Sequence, residues 1–276
     1  MQKPFGPTQR LQKAYEQGIR EITKRVLAPK SADQTFDQWL GAIVERSQRQ
    51  DIQEASTELA RRMVSWVSVR NAATWRQAAS RSMQSRKLHS LLMREMQGAT
   101  GARVSQLVHE NARLISSLPI EAATMLTDEV RKAQQNGARP ETVAKMMRQR
   151  FPKLVRSRVN LISRTETAKA SSALTQARSE DVGAEFYIWL SSTDQRTRAS
   201  HKNLHGVVIP WAQPPDPEAL VGEASILGHY HSGACPNCRC TQIVVLEAED
   251  IKFPARIYWN GAIKQMTKQQ FKVIAA

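Results

Sequence analysis

The chain has 276 residues, 41% of them hydrophobic and only 6% aromatic, with a formal net charge of +15 and a pI near 10.2. That length and apolar share allow one large or two ordinary folded domains and exclude wholesale disorder. No apolar run approaches the roughly 18 residues of a membrane span, and the start "MQKPFGPTQRLQK" has no signal-peptide core, so a cytoplasmic site of synthesis is expected.

The charge is uneven. Residues 1–158 carry 28 Lys and Arg against 14 Asp and Glu; residues 201–250 carry 2 against 6; residues 251–276 carry 5 against none. A basic body and a basic tail thus flank a mildly acidic segment. Polyanion contact is the natural reading, with double-stranded DNA the first candidate and no base-specific readout. The densest cationic positions are Arg61 and Arg62, Arg156 and Arg158, and Lys264, Lys268 and Lys272.

In chain order, Leu11, Ala14, Tyr15, Ile19, Ile22 and Val26 repeat at helical spacing, with Thr8 placed to cap. Residues 42–97 contain neither Pro nor Gly. Stripes at Leu59, Met63, Trp66 and Val67, and at Leu88, Leu91, Leu92 and Met96, predict two or three helices broken near "SRSMQSRK". A helix is expected over 102–117. Pro119 should open another that ends at Gly137, and Pro140 a short one that Pro152 stops. A long amphipathic helix is then expected over 153–182.

At Gly183 the character changes. "EFYIWLSS" predicts a buried strand, "RTRASHKNLHG" a helix capped by Thr193 or Asp194, and "VVIP" and "TQIVVLEA" two more strands around a Pro- and Gly-rich loop. The predicted fold is a mainly α N-terminal region followed by a small α+β module with a short-stranded sheet. The boundaries are residues 1–154 for an extended helical region, 155–250 for the module and 251–276 for a basic tail.

All three cysteines, Cys235, Cys238 and Cys240, fall within six residues. In a reducing compartment, thiols this close point to a metal before a disulfide. Cys235 and Cys238 have the C-x2-C spacing of a zinc knuckle, and Cys240 follows on the same side if the chain is extended. The fourth ligand is sought among His201, His205, His229 and His231. His201 is preferred, since it lies on the helix before the loop and within the motif that carries the family resemblance given below, with His229 and His231 as the runner-up. A small module gains from such a staple. The bland alternative is three reduced thiols packed beneath a loop.

A second set, Arg164, Glu166, Asp194, Arg196 and Arg198, reads as an ion-pair network that fixes the module. The catalytic alternative makes Glu166 or Asp194 a base and His201 an acid, in a hydrolase or transferase. No phosphate loop, dinucleotide fingerprint or nucleophile motif supports it.

Three pieces in order carry a resemblance: "ISRTETAKA" from Ile162, Trp189 followed by Asp194, Arg196, Thr197, Arg198, His201, Leu204 and Gly206, and "PNCRCT" from Pro236 to Thr241. Residues of about 155–248 resemble the C-terminal module of the phage Mu F-like minor head proteins. The family pattern commonly has His at the position of Cys235, itself a zinc ligand. The resemblance implies a portal-proximal minor protein of a phage head, acting in capsid assembly, DNA packaging or genome delivery. Its partners would be the portal, other head proteins and packaged DNA, and its location the capsid interior or portal vertex after assembly in the host cytoplasm. A zinc-dependent DNA-binding regulator is the third reading, disfavoured because no recognition helix stands out.

Overall fold

The structure, a computed structural model, describes residues 5–31, 33–80 and 99–275. The stripe expected at Leu88–Met96 and the break near "SRSMQSRK" lie outside the described residues, apart from the turn at Ser80. Among the described residues, five helices come first: α1 (Gln9–Val26), α2 (Phe36–Gln48), α3 (Gln50–Ala79), α4 (Ala99–Gln135) and α5 (Pro140–Val182). They are followed by β1 (Phe186–Leu190), α6 (Ala199–Asn203), β2 (Val208–Pro210), β3 (Thr241–Val245), β4 (Ala255–Trp259), β5 (Ala262–Met266) and α7 (Lys268–Ile274). Among the described residues, no helix is long and apolar enough to cross a membrane.

Contacts divide the chain into two compact units. One holds the described residues of 9–64 and 106–166; the other holds those of 5–8, 65–105 and 167–275. The helical unit buries most of the α1 stripe predicted from sequence: Leu11, Tyr15, Ile19, Ile22 and Val26 are inside, whereas Ala14 is exposed. Gly18 lets α1 approach α3 closely, since a Cβ there would sit 2.5 Å from Leu59 Cδ1. The buried Tyr15 hydroxyl donates to Asn111 Oδ1 at 2.9 Å, and Asn111 Nδ2 donates on to the Leu107 carbonyl. Burial and the nearby Glu166 carboxylate push the Tyr15 phenol well above its ordinary pKa.

Two prolines correct the sequence reading. Pro119 lies inside α4 and Pro152 inside α5, so neither starts nor stops a helix. An interior proline forfeits a backbone hydrogen bond and costs about 3 kcal/mol. Around Pro119, Ile115, Leu118, Ala122 and Ala123 are buried, and this packing offsets the loss there; beside Pro152, the half-buried Phe151 makes edge contact with Trp39. The break between α2 and α3 falls at Arg49, which leaves helical geometry at φ −56° and ψ 140° without any Pro or Gly to announce it.

The second unit is built on a five-stranded sheet ordered β3-β1-β2-β4-β5. β1 pairs antiparallel with β2 and β3, β4 with β5, and β2 runs parallel to β4 through Val208 and Ile257. Alternation along β1 sends Tyr187 and Trp189 to a core with Ile209, Val244, Phe5, Trp75 and Ala78. Phe186 faces the other core, with Val208, Val245, Ile257 and Phe271 of α7. Phe5 also bridges to Gln242 on the β3 edge, with its N–H donating to the Gln242 carbonyl at 2.8 Å.

Residues 251–275 are a further correction. The expected tail contains a hairpin and a helix that complete the sheet unit. The hairpin turns at Asn260 (φ 49°) and Gly261 (φ 81°), the left-handed pair that a tight two-residue turn requires.

Inside this unit α5 and α3 share a buried polar belt. Arg178, wholly buried, donates from Nη1 to Asn71 Oδ1 at 2.6 Å and from Nη2 to Ser68 Oγ at 3.0 Å. Asn71 Nδ2 donates to Thr175 Oγ1 at 2.7 Å. The same face of α5 meets the sheet through Ser172, whose Oγ accepts from the buried Gln242 Nε2 at 2.8 Å.

Candidate metal centre

Three buried donors converge where α6 meets the segment leading into β3. His201 Nδ1 lies 3.3 Å from Cys240 Sγ and 3.7 Å from Cys238 Sγ, and the three ligand atoms all fall within 4.8 Å of one another. A tetrahedral zinc with bonds of about 2.3 Å to sulfur and 2.0–2.1 Å to nitrogen has an N···S edge of about 3.5 Å. The observed spacings bracket that value, so this His/Cys/Cys group can hold a metal.

Local structure explains the convergence. His201 is on α6, the short helix that the "RTRASHKNLHG" stretch was expected to form. The helix starts later than expected and has no side-chain cap. Thr193 takes a left-handed φ of 54°, and Asp194 Oδ1 instead accepts from the Arg196 N–H at 3.1 Å and the Thr197 hydroxyl at 3.0 Å. The thiols sit in a tight turn with Asn237 at φ 58° and the Cys238 N–H donating to the Cys235 carbonyl. Gly233 lets this loop lie against α5, because a Cβ there would stand 3.3 Å from the Ala168 carbonyl oxygen.

The ring of His201 is oriented from behind. Its Nε2 is 3.0 Å from the Tyr230 hydroxyl, and that hydroxyl donates to Glu218 Oε1 at 2.7 Å. With the phenolic proton committed to the carboxylate, Nε2–H must be the donor to Tyr230. When the ring gives up its second proton, as metal binding requires, the lone pair is on Nδ1, the nitrogen facing Cys238 and Cys240. Burial lowers the imidazole pKa, but hydrogen bonds with Cys235 and Cys238 outweigh it and raise the value to about 9. The hydrogen bond from Cys238 holds Cys240 below the ordinary thiol value.

Cys235 stands beside this group and not within it. It faces the opposite ring nitrogen, Nε2, at 3.8 Å, and accepts from Arg198 Nη1 at 2.9 Å. Its contact with Cys238 and its burial both push its thiol pKa up.

The other histidines are engaged elsewhere. His205 Nδ1 lies 3.2 Å from the Ser191 amide and hydroxyl, and His229 Nδ1 lies 2.9 Å from the Pro214 carbonyl. His231 packs against Trp211 with Nδ1 3.2 Å from the Tyr187 hydroxyl, and burial lowers its pKa to about 4.

Asp194 is bound by the fork of Arg239, which holds its carboxyl down at about 2. Arg198 serves Cys235 and the Pro236 carbonyl, and Arg196 is exposed. Arg164, half-buried, and Glu166, buried, belong to the helical unit, whereas Asp194, Arg196 and Arg198 belong to the sheet unit.

Sequence reasoning passed over Arg239, Tyr230 and Glu218. Arg239 was detectable, since a residue between two thiols that face one way faces the other way. Tyr230 sits between two histidines that drew attention by type, and Glu218 offered no local signal.

Of the basic candidates, Arg62, Arg156, Lys264 and Lys272 are exposed. Arg61 pairs with Glu58, Lys268 with Glu249, and the half-buried Arg158 with Glu121.

Fold and site together define a predominantly helical protein whose α+β module buries a donor group suited to a soft metal. Residues 124–243 match the family of phage Mu protein F like proteins, the kind of module the "ISRTETAKA", Trp189–Gly206 and "PNCRCT" pieces resemble. An uncharacterized protein of Haemophilus influenzae is 31% identical over 171 residues, which is 62% of this chain and 34% of that protein. The chain thus spans about a third of the length of that relative. No solved structure matches the chain.

Proposed function

We propose that this chain is a portal-proximal minor structural protein of a phage head, with a zinc-stapled α+β module and a basic surface that faces packaged double-stranded DNA. The observation that carries the reading is the buried His201/Cys238/Cys240 group within the Mu F-like stretch. A zinc there would be bound by His201 Nδ1, Cys238 and Cys240, with Cys235 turning in as the fourth ligand. Structural zinc is four-coordinate, and Cys235 already touches Cys238. When bound, the ion would tie α6 to the turn before β3 and so close the module's sheet and loop on each other. The chain's own residues prepare this: Glu218 and Tyr230 set the imidazole tautomer, and Arg198 holds Cys235.

The DNA-facing side chains are Arg62, Lys264 and Lys272, exposed cations able to replace condensed counterions without reading bases. Arg61, Arg158 and Lys268 are already paired with carboxylates and contribute less. The enzyme reading gains nothing from the geometry. Asp194 is engaged by Arg239, and His201 presents its ring nitrogens to thiols and a phenol.

The test is retention. Purified phage heads should keep the protein in a few copies per particle through high-salt washing. Heads that lack it, with all of the protein recovered free, would overturn the structural reading.

A further inference from the structure

The helical unit contains an apolar groove of about 900 Å³, within the size range of clefts that take several side chains of a ligand. Its floor is Leu27, Trp39, Met147, Phe151, Val155 and Val159. Trp39 is fixed there by an Nε1–H bond to the Ala28 carbonyl at 2.9 Å and by edge contact with Phe151. The rim is cationic: Arg20, Lys24, Lys30, Arg148 and Arg156 line it, and no carboxylate does. Arg148 and Arg156 are exposed and make no ion pair among the described residues. An apolar floor offers nothing to a phosphate backbone, whereas a basic rim favours an occupant that is both apolar and acidic.

The chain itself displays such a segment. The loop from Asp216 to His229 holds Asp216, Glu218 and Glu223, and no Lys or Arg occurs from residue 203 to residue 238. At its tip Ile226 is 90% exposed and Leu227 49% exposed, two adjacent large apolar side chains in water. The loop is shaped by Gly222 and Gly228 at positive φ and by the Gly228 N–H donating to Ser225 Oγ at 3.2 Å.

We propose that the groove receives the Asp216–His229 loop of a second copy of this chain, with Ile226 and Leu227 as anchors and the exposed Glu223 carboxylate toward the basic rim. Groove and loop are different surfaces, so the contact is heterologous. Each bound copy retains one free groove or one free loop, which builds rings or chains of copies. The proposal is independent of the metal centre: it needs neither zinc nor DNA.

Sedimentation velocity of the full chain tests it, over about 1–100 µM, where a transient interface of modest affinity is populated. Wild type should show mass-average sedimentation that rises with concentration. Ile226→Glu should stay monomeric, and so should the double variant Arg148→Glu/Arg156→Glu. All three positions are exposed, and matching thermal unfolding would show that the variants fold. An equimolar mixture of loop variant and groove variant should restore a 1:1 complex, because one intact groove then meets one intact loop. A synthetic peptide of residues 216–229 should bind wild type and Ile226→Glu, and at least tenfold more weakly the groove variant. A wild type that stays monomeric and fails to bind the peptide would overturn the proposal. So would a mixture that gives no complex, peptide binding unaffected by the groove variant, or duplex DNA occupying the groove in the peptide's place.

Discussion

Replacing Tyr230 by Phe removes one oxygen from a buried three-residue chain and leaves the packing of the ring in place. That oxygen accepts from His201 Nε2–H at 3.0 Å and donates to Glu218 Oε1 at 2.7 Å. Without it, Nε2–H keeps only the poor acceptor Cys235 Sγ at 3.8 Å, and Glu218 Oε1 keeps only the Ser200 hydroxyl at 3.4 Å. The imidazole is then free to rotate or to take the other tautomer, which puts a proton on the nitrogen that faces Cys238 and Cys240. Loss of such an outer partner of a metal-binding histidine weakens the metal site by about tenfold to a hundredfold, or roughly 1.4–2.7 kcal/mol. The assay is competition for zinc between the protein and a chromophoric chelator at neutral pH, with circular dichroism to confirm that the module remains folded. Glu218→Gln should give a smaller loss, since the phenol still has an acceptor. A Tyr230→Phe protein that holds zinc as tightly as wild type would refute the argument that this chain sets the tautomer.

Cys240→Ser should abolish tight zinc binding, whereas Cys235→Ser should leave a measurable three-ligand site, and titration of the two variants separates these outcomes. Asn71→Ala strips the acceptor from Arg178 Nη1 and the donor to Thr175. It should cost the sheet unit about 3 kcal/mol by denaturant unfolding, given 1.5–3 kcal/mol for a bond to a charged group and about 1 kcal/mol for a neutral one. His231, lowered to about 4 by burial, is neutral in the folded chain, while an unfolded histidine titrates near 6.5. Between those values the unfolded state binds the extra proton, so stability falls as pH drops from about 6.5 towards 4, by on the order of 2 kcal/mol at pH 5. His231→Gln should flatten that part of the wild-type pH profile of thermal unfolding. Asp194→Asn should barely move the thermal midpoint, because its pair with Arg239 is over a third exposed and screened by water.

Much of the sheet unit was legible because its signals are local. β1, β2 and β3 follow from short β-branched and aromatic runs, and the thiol cluster from spacing alone. The last strands were missed for a physical reason. Five cations in residues 251–276 suggested a basic tail, yet "ARIYWNGAIKQM" places Asn260–Gly261 between two extended runs, the strongest short-range hairpin signal available. Lys264 is exposed on an edge strand, where charge is an ordinary guard against aggregation. Pro119 and Pro152 misled in the opposite direction, since a proline's local cost can be overruled by packing that only the fold reveals. The site divides in the same way. His201 could be preferred from its place before the loop, but its choice of Nδ1 depends on Tyr230 and Glu218, which are 29 and 17 residues away in sequence. The apolar groove had no sequence signature, because its walls come from α1, α2 and α5 together.

The most direct test of the account is the metal content of the full chain purified without chelators, read by elemental analysis alongside thermal unfolding before and after chelation. The account predicts one zinc per chain, and a sheet unit that loosens when the metal is stripped while the helical unit stays folded. Less than about 0.2 metal equivalents, against the single ion of a Cys/His centre, or an unfolding curve indifferent to chelation, would contradict it.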